Sequence, residues 1–263
     1  MKKYLILMLL FLVLPLACNK NEMNADTAAY GRIKVEAYDS PPPAGVEHIY
    51  LTVKEVSLHE SSKGWQVVSK PNRTIDFLEL INGATSLIAD APLAEGRYSQ
   101  MRLELSVDNT IVVNGNTYPL TIPSGTESGV KLNLNFDVAR DELVEVLVDF
   151  DAGKSLNIAS NDYKLKPVFK TFKKVVSGTI AGSVKIAGDT PVANALITAV
   201  NTADPNDSVS TISDSSGEYK LVVLAGTYDV TAASELYPIA DRSYAGVAVS
   251  AGGSLTGKNF ILQ

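Results

Sequence analysis

A chain of 263 residues with 46% apolar side chains is long enough for two ordinary domains and can bury real cores. Charged residues make up 20%, which excludes the highly charged, poorly apolar composition of a disordered protein. The formal charge of −6, nearer −8 if residues 1–17 with Lys2 and Lys3 are removed, argues against a nucleic-acid partner, whose phosphates need a clustered basic surface.

Lys2 and Lys3 open the chain, and Tyr4 to Leu14 follow as an unbroken apolar run, too short to span a bilayer as a mature helix. Pro15-Leu16-Ala17 then leads into Cys18. A basic start, a short apolar stretch and a small residue before the cleavage point form the pattern of a secretory signal peptide. The stretch resembles a bacterial lipobox, with Ala17 before the lipidated residue and Pro15 two places further back. Cys18 is the only cysteine. Exported proteins usually hold cysteines in pairs, so one placed directly after the apolar run points to acylation. A single acyl chain anchors marginally, at roughly 0.8 kcal/mol per buried CH₂, whereas two or more hold a protein stably. The expectation is a signal peptide over 1–17, palmitate-type chains on Cys18, and a polar tether over 18–29. It places the protein in the cell envelope, at the outer membrane rather than the inner.

From Tyr30 the pattern changes to period two, the signature of half-buried strands. Ile33, Val35 and Ala37 alternate with Lys34 and Glu36. Ile49, Leu51 and Val53 alternate with Tyr50 and Thr52. Met101 to Val107, Leu132 to Phe136 and Val144 to Phe150 repeat the alternation. Turn formers such as Asn114-Gly115-Asn116 and Pro123-Ser124-Gly125 bound the runs. Ile75 to Leu80 reads as a short helix or a strand, and 81–90 as carrying one helical turn. A second unit begins near Ser177, with strands at Ile180–Ile186, near Val200, at Tyr219–Val223, after Tyr228 and at Asn259–Leu262. About seven short strands in such a length is the scale of an immunoglobulin-type sandwich. The expected fold is all-β, two antiparallel β-sandwich domains in tandem over 30–174 and 177–263. The junction from Phe172 to Gly178 has no Pro/Gly/Ser-rich stretch, so the two are expected to move little against each other. Leu93-Ala94-Glu95-Gly96-Arg97-Tyr98 is echoed by Leu224-Ala225-Gly226-Thr227-Tyr228, each a Gly turn that delivers a Tyr to the start of a strand.

The first unit resembles the domain-of-unknown-function family 4382 of bacterial lipoproteins. The elements that carry the likeness are Asp39-Ser40-Pro41, Val53-Lys54-Glu55-Val56, Trp65, Ile75-Asp76-Phe77-Leu78 with Asn82-Gly83, Gly96-Arg97-Tyr98 with Arg102-Leu103, Ser128-Gly129-Val130-Lys131, Asp149-Phe150-Asp151 and Tyr163 with Leu165-Lys166-Pro167. The second unit resembles carboxypeptidase regulatory-like domains through Gly182-Ser183-Val184, Pro191-Val192-Ala193-Asn194-Ala195, Asp214-Ser215-Ser216-Gly217-Glu218-Tyr219 and Ala225-Gly226-Thr227-Tyr228. That likeness implies a structural spacer, with some relatives binding carbohydrate. Adhesin relatives form a Lys–Asn isopeptide bond promoted by a buried Glu. Lys185 and Asn259 are present here, but Ala232 occupies the expected Glu position, so no isopeptide is expected.

Few residues carry chemistry. His48 and His59 flank one strand and read as surface or cap residues. Asp149 and Asp151 share a strand face by i, i+2 spacing. They read either as oxygen ligands for calcium or paired hydrolytic carboxylates, or as turn caps and ion-pair partners of Lys131 or Lys154. Asp204, Asp207 and Asp214 carry the same two readings. Trp65 is a core tryptophan of a sandwich or a platform for sugar stacking. Lys164, Lys166, Lys170 and Lys174 would line one face of a continuous strand, as an anion patch or as lysines that guard a sheet edge. Trp65, Lys131 and Lys166 are the residues placed as ligand contacts. No Walker loop, dinucleotide fingerprint or nucleophile elbow occurs. The expected function is a non-enzymatic envelope lipoprotein without cofactor, presenting a surface to a polysaccharide or an envelope protein. The alternative is a calcium-dependent or hydrolytic module that uses Asp149 and Asp151.

Overall fold

The computed structural model describes residues 29–123, 129–159, 162–238 and 240–263. The stretch expected as a signal peptide, Cys18, and the expected tether up to residue 28 lie outside the described residues, as do Ser124-Gly125 and Ser128.

The period-two runs form strands because their β-branched and aliphatic residues pack one face of a pleated surface and leave polar residues on the other. In the first unit, a sheet of four strands has the order Phe169–Lys173, Leu143–Asp151, Tyr30–Ser40 and Ser86–Ala94. It packs on a larger sheet centred on the long strand Val46–Glu60, which is flanked by Gly96–Leu105 and Val130–Val138 on one side and by Thr110–Val113 and Asn116–Thr121 on the other. Ile33, Val35, Val146, Val148 and Phe150 from the small sheet meet Leu51, Leu58, Met101 and Leu134 from the large one in a single core. Asn114 and Gly115 both take positive φ, 49° and 72°, in the two-residue hairpin between Val113 and Asn116. That backbone matches the right-handed twist of the flanking strands.

The second unit has its own core, built on Ile180, Ile197, Leu221, Val223, Tyr228, Val230 and Phe260. One of its sheets pairs Ser177–Ile186 with Glu218–Leu224, Ser254–Leu255 and Phe260–Leu262, and the other orders Ser208–Ile212, Leu196–Asn201, Gly226–Ala233 and Tyr244–Val249. A Cβ on Gly182 would clash with the Lys258 carbonyl, so the chain crosses there only because no side chain is present.

The tandem all-β arrangement agrees with the sequence reading. Within it, some pairs run parallel: Tyr30–Ser40 with Leu143–Asp151, Asn116–Thr121 with Asp162–Leu165, and Ser177–Ile186 with both C-terminal strands. Two local expectations are corrected. Ile75 to Leu80 is both a strand end and a helix: the strand Arg73–Asp76 runs into a 3₁₀ turn, Phe77–Leu80, capped by Asp76, whose carboxylate accepts from the Leu78 N–H. Residues 81–90 hold no helical turn. Asn82 and Gly83 take left-handed φ values of 57° and 78°, and the chain then enters the strand Ser86–Ala94, whose Ile88 and Ala89 join the core.

The echoed Gly–Tyr turns form the same device twice. The Tyr98 hydroxyl donates to the Ala94 carbonyl at 2.9 Å, and the Tyr228 hydroxyl donates to the Leu224 carbonyl at 3.0 Å. Both rings are buried. Each bond ties a strand start to the preceding strand end, as a tyrosine corner does. Tyr98→Phe and Tyr228→Phe are each expected to lower stability by about 1–2 kcal/mol, because a carbonyl loses its donor. Urea unfolding of the two variants measures this, and midpoints equal to the parent's would refute it.

Candidate functional site

The site is built on the outer face of the small sheet of the first unit. Inward residues alternate with outward ones along Tyr30–Ser40 and Leu143–Asp151. The register sets Tyr38 opposite Asp149, and Asp149 opposite Lys170. An outward row on a solvent-facing sheet should be exposed. Instead Tyr38, Leu147 and Asp149 are buried, and the two apolar side chains belong to neither core.

The second sandwich covers them. Lys170 Nζ lies 2.8 Å from Asp207 Oδ1 across the junction. The Asn82 N–H donates to Thr211 Oγ1 at 2.9 Å, its side-chain amide donates to the Glu218 carbonyl at 3.3 Å, and its side-chain oxygen accepts from the Lys220 N–H. Lys174, at the junction, pairs with Glu36 at 3.1 Å and Glu145 at 3.2 Å.

Between the sandwiches lies a cleft of about 420 Å³, with Tyr38, Asp149, Lys170 and Phe172 on one side and Asp207, Val222 and Tyr228 on the other. Tyr38 Oη and Asp149 Oδ1 of its lining are closed to solvent and make no hydrogen bond of good geometry, but they face each other, and the Tyr38 hydroxyl favours the ionised Asp149 carboxylate. Burial pushes the Asp149 carboxyl up to about 7, against the opposing pull of the Lys170 charge. Burial raises the Tyr38 hydroxyl well above its ordinary value, and the neighbouring Asp149 adds to the effect. Asp39, one residue along, points the other way; it is buried and raised by desolvation, and its Oδ1 accepts from the Ser40 N–H at 2.7 Å. Asp207 is partly buried, which raises it, but the Lys170 hydrogen bond and charge bring it below the usual carboxylate range.

Asp149 and Asp151 share a face, as their spacing requires, but not a function. Asp151 caps the helical turn Ala152–Ser155: its Oδ1 accepts from the Lys154 N–H at 2.9 Å and its Oδ2 pairs with Lys154 Nζ at 2.6 Å. That is the cap-and-pair reading. Among the described residues, no three His, Cys, Asp or Glu side chains stand together as a metal cage, and the second sandwich separates Asp149 from solvent. The Asp204–Asp214 loop divides likewise. Asp214 accepts from the Ser216 and Glu218 N–H groups, Asp204 accepts from the Asn206 N–H, and Asp207 turns to Lys170.

Lys131 lines the cleft with its side chain exposed. Lys166 lines a separate groove of about 390 Å³ with Pro123, Gly129 and Pro167. Lys164 pairs with Asp162 at 2.6 Å, so the four lysines are split among different strands and partners instead of forming one row. Trp65 is not in the core. It is half-buried on the outer face of the large sheet, with the Arg102 guanidinium 4.7 Å above its ring and His59 edge-on at 5.3 Å. In the strand Gly64–Ser69, paired along the end of Val46–Glu60, Val68 packs against the core, whereas Trp65 lies on the outer face with its ladder partner His59 and with Arg102. His48 and His59 sit towards opposite ends of that strand, His48 against Asp76 at 2.5 Å and His59 against Ser99 at 3.2 Å. Lys185 pairs with Asp189 at 3.4 Å, and Asn259 accepts from the Ser183 N–H at 3.0 Å.

Tyr38 and the Lys170–Asp207 bridge were not singled out by sequence reasoning. The only signals were the lysine series and the aspartate loop, each read within its own unit.

Residues 30–167 match the family described as "Domain of unknown function (DUF4382)", and residues 179–263 match the carboxypeptidase regulatory-like domain. Over 69 residues the chain is 39% identical to Structural protein 27 of a virus (isolate Australia/Victoria), a stretch covering 26% of this chain and 12% of that protein. Solved structures with similarity include the Bacillus anthracis TIE protein, at 13% identity over 89% of this chain and 34% of that one, TM-score 0.29. The minor pilin GBS52 of Streptococcus agalactiae is 12% identical over 88% of this chain and 96% of that one, TM-score 0.27. BcpA, the major pilin subunit of Bacillus cereus, is 10% identical over 89% of this chain and 71% of that one, TM-score 0.27.

Proposed function

Because the chain belongs to the DUF4382 family, with a carboxypeptidase regulatory-like domain behind the family domain, we propose that it is a non-enzymatic lipoprotein of the cell envelope that holds two β-sandwiches in a fixed arrangement and presents their joint surface to a partner. The observation that carries this reading is the buried outer face at Tyr38, Leu147 and Asp149, closed over by the second sandwich. A face buried by a neighbouring domain and pinned at Asn82 and at Lys170–Asp207 resists hinging, because separation would strand these groups in new surroundings. The non-enzymatic part is supported by the separation of His48 from His59 and by the different duties of Asp149 and Asp151.

The anchor is proposed on the apolar run Tyr4 to Leu14 and the single Cys18 that follows it. In this arrangement the family domain lies nearest the outer membrane and the regulatory-like domain furthest out. Cys18→Ser is expected to move the processed protein from the membrane fraction to the soluble fraction with its melting profile unchanged. A processed Cys18→Ser chain that still sediments with membranes overturns the anchor. Small-angle scattering tests the fixed arrangement, and a profile that demands an ensemble of interdomain angles overturns it.

A further inference from the structure

The segment that follows Cys18 enters the first sandwich at one end. Two turns pin it there: the Glu95 N–H donates to the Ala29 carbonyl at 2.7 Å, and the Asp141 N–H to the Tyr30 carbonyl at 3.0 Å. Leu143 opens the neighbouring strand, opposite Arg32. The strand Phe169–Lys173 runs back to the same end and passes into the 3₁₀ turn Lys174–Val176. Leu143 and Val175 wall a shallow groove of about 370 Å³ there. Tyr30 is 53% exposed, Leu143 54% and Val175 70%. Single apolar side chains on a surface are ordinary, but three gathered on one end form a patch, and exposed patches mark contact sites.

The charges around the patch balance. Arg97, Arg140 and Lys173 stand against Glu95, Asp141 and Glu142, and Arg32 is paired with Asp90 at 2.6 Å. The chain as a whole carries −6, so this end lacks the acidic excess that an anionic lipid surface would repel. Its composition, a tyrosine and aliphatic side chains ringed by long basic ones, is that of residues which settle at a membrane interface.

We propose that this end of the first sandwich docks on the lipid surface that holds Cys18, with Tyr30, Leu143 and Val175 entering the headgroup region. The proposal rests on the Cys18 anchor. Twelve peptide links separate Cys18 from Tyr30, so even fully extended they place the patch within about 40 Å of the acylated residue. Anchoring makes the contact intramolecular, and a patch too small to hold the protein by itself is then sufficient to orient it. Release of Cys18→Ser into the soluble fraction agrees with such a patch.

The test uses the full chain, purified from membranes and reconstituted into vesicles of phosphatidylethanolamine and phosphatidylglycerol, with or without brominated acyl chains. An environment-sensitive fluorophore is attached to Leu143→Cys, or to Thr117→Cys in the exposed hairpin at the opposite end of the sandwich. The label on Leu143→Cys should shift to the blue and lose most of its emission to the brominated lipid, and the label on Thr117→Cys should do neither. Tyr30→Asp and Val175→Asp, added to Leu143→Cys, should abolish the quenching. Retained near-ultraviolet dichroism shows that the variants are folded. The proposal is overturned if the two labels respond alike, or if the aspartates leave the quenching unchanged. It is also overturned if Leu143→Cys chains cross-link to one another without quenching, which assigns the patch to a second copy. The parent chain separates this failure from that of the anchor, because a lipidated Cys18 takes no thiol label. A labelled Cys18 overturns the anchor and the docking with it, whereas an unlabelled Cys18 with an unquenched Leu143→Cys overturns the docking alone.

Discussion

Asp149→Asn is expected to stabilise the protein at pH 8 by on the order of 2–4 kcal/mol and to leave it nearly unchanged at pH 4. The Asp149 carboxyl is buried, and its pKa is pushed from 3.8 up to about 7 in the folded state. A carboxyl raised in this way holds its proton longer when folded than when unfolded. Its contribution is fully present below the unfolded value, near 3.8, and is lost as pH rises to about 7. Above that range the folded protein keeps a charge under the second sandwich, which Lys170, Lys154 and the Tyr38 hydroxyl offset only in part. Asparagine has the same shape and no charge to desolvate, so its stability curve should lack this decline. Asp39 is raised in the same direction, by burial first and by the Asp149 charge second, so part of the gap comes from relief of Asp39 once that charge is gone. Urea unfolding at half-unit steps from pH 4 to pH 8 measures the gap. Parallel curves for parent and variant would mean that Asp149 is not buried as described.

Phe150→Ala carries a second large effect, of opposite sign. Phe150 is fully buried and packs its ring against Phe77 at 5.2 Å and Phe169 at 5.1 Å between centroids. It lies between Asp149 and Asp151 on the strand, so it points into the core while they point out. Removing the ring should cost about 3–5 kcal/mol, a large share of the roughly 5–15 kcal/mol that holds a domain. The loss should fall on the first sandwich, because the second has a separate core around Tyr228 and Phe260. Scanning calorimetry should show one transition moving down by many degrees and the other by few. Two transitions that shift equally would show instead that the sandwiches unfold as one unit through the Tyr38–Leu147 face.

The same two residues mark how much could be read in advance. The alternation of Val144, Val146, Val148 and Phe150 was legible, and so was the outward direction of Asp149 and Asp151, because strand geometry sets both from nearest neighbours. What covers the outward face was not legible. Asp151 meets Lys154, three residues on, and a turn cap was among its readings. Asp149 and Tyr38 are buried by residues such as Val222 and Tyr228, far along the chain. Trp65 was not legible for a different reason: the strand Gly64–Ser69 has no clean inward–outward alternation, so its own residues do not say which face the indole takes.

The sequence by itself determined the strands with clean alternation, such as Val144 to Phe150, the turn at Asn114-Gly115, and the two Gly turns that deliver Tyr98 and Tyr228, in two successive units. These depend on φ preferences, on period-two burial and on contacts such as Tyr98 to Ala94, only four residues apart. The tertiary structure alone decided that two sandwiches would close over one sheet face and leave a cleft holding Asp149 and Tyr38. The physical reason is range. The bonds that close that junction join Asn82 to Lys220 across 138 positions and Lys170 to Asp207 across 37, and no local rule connects residues so far apart until the packing of both cores has placed them together.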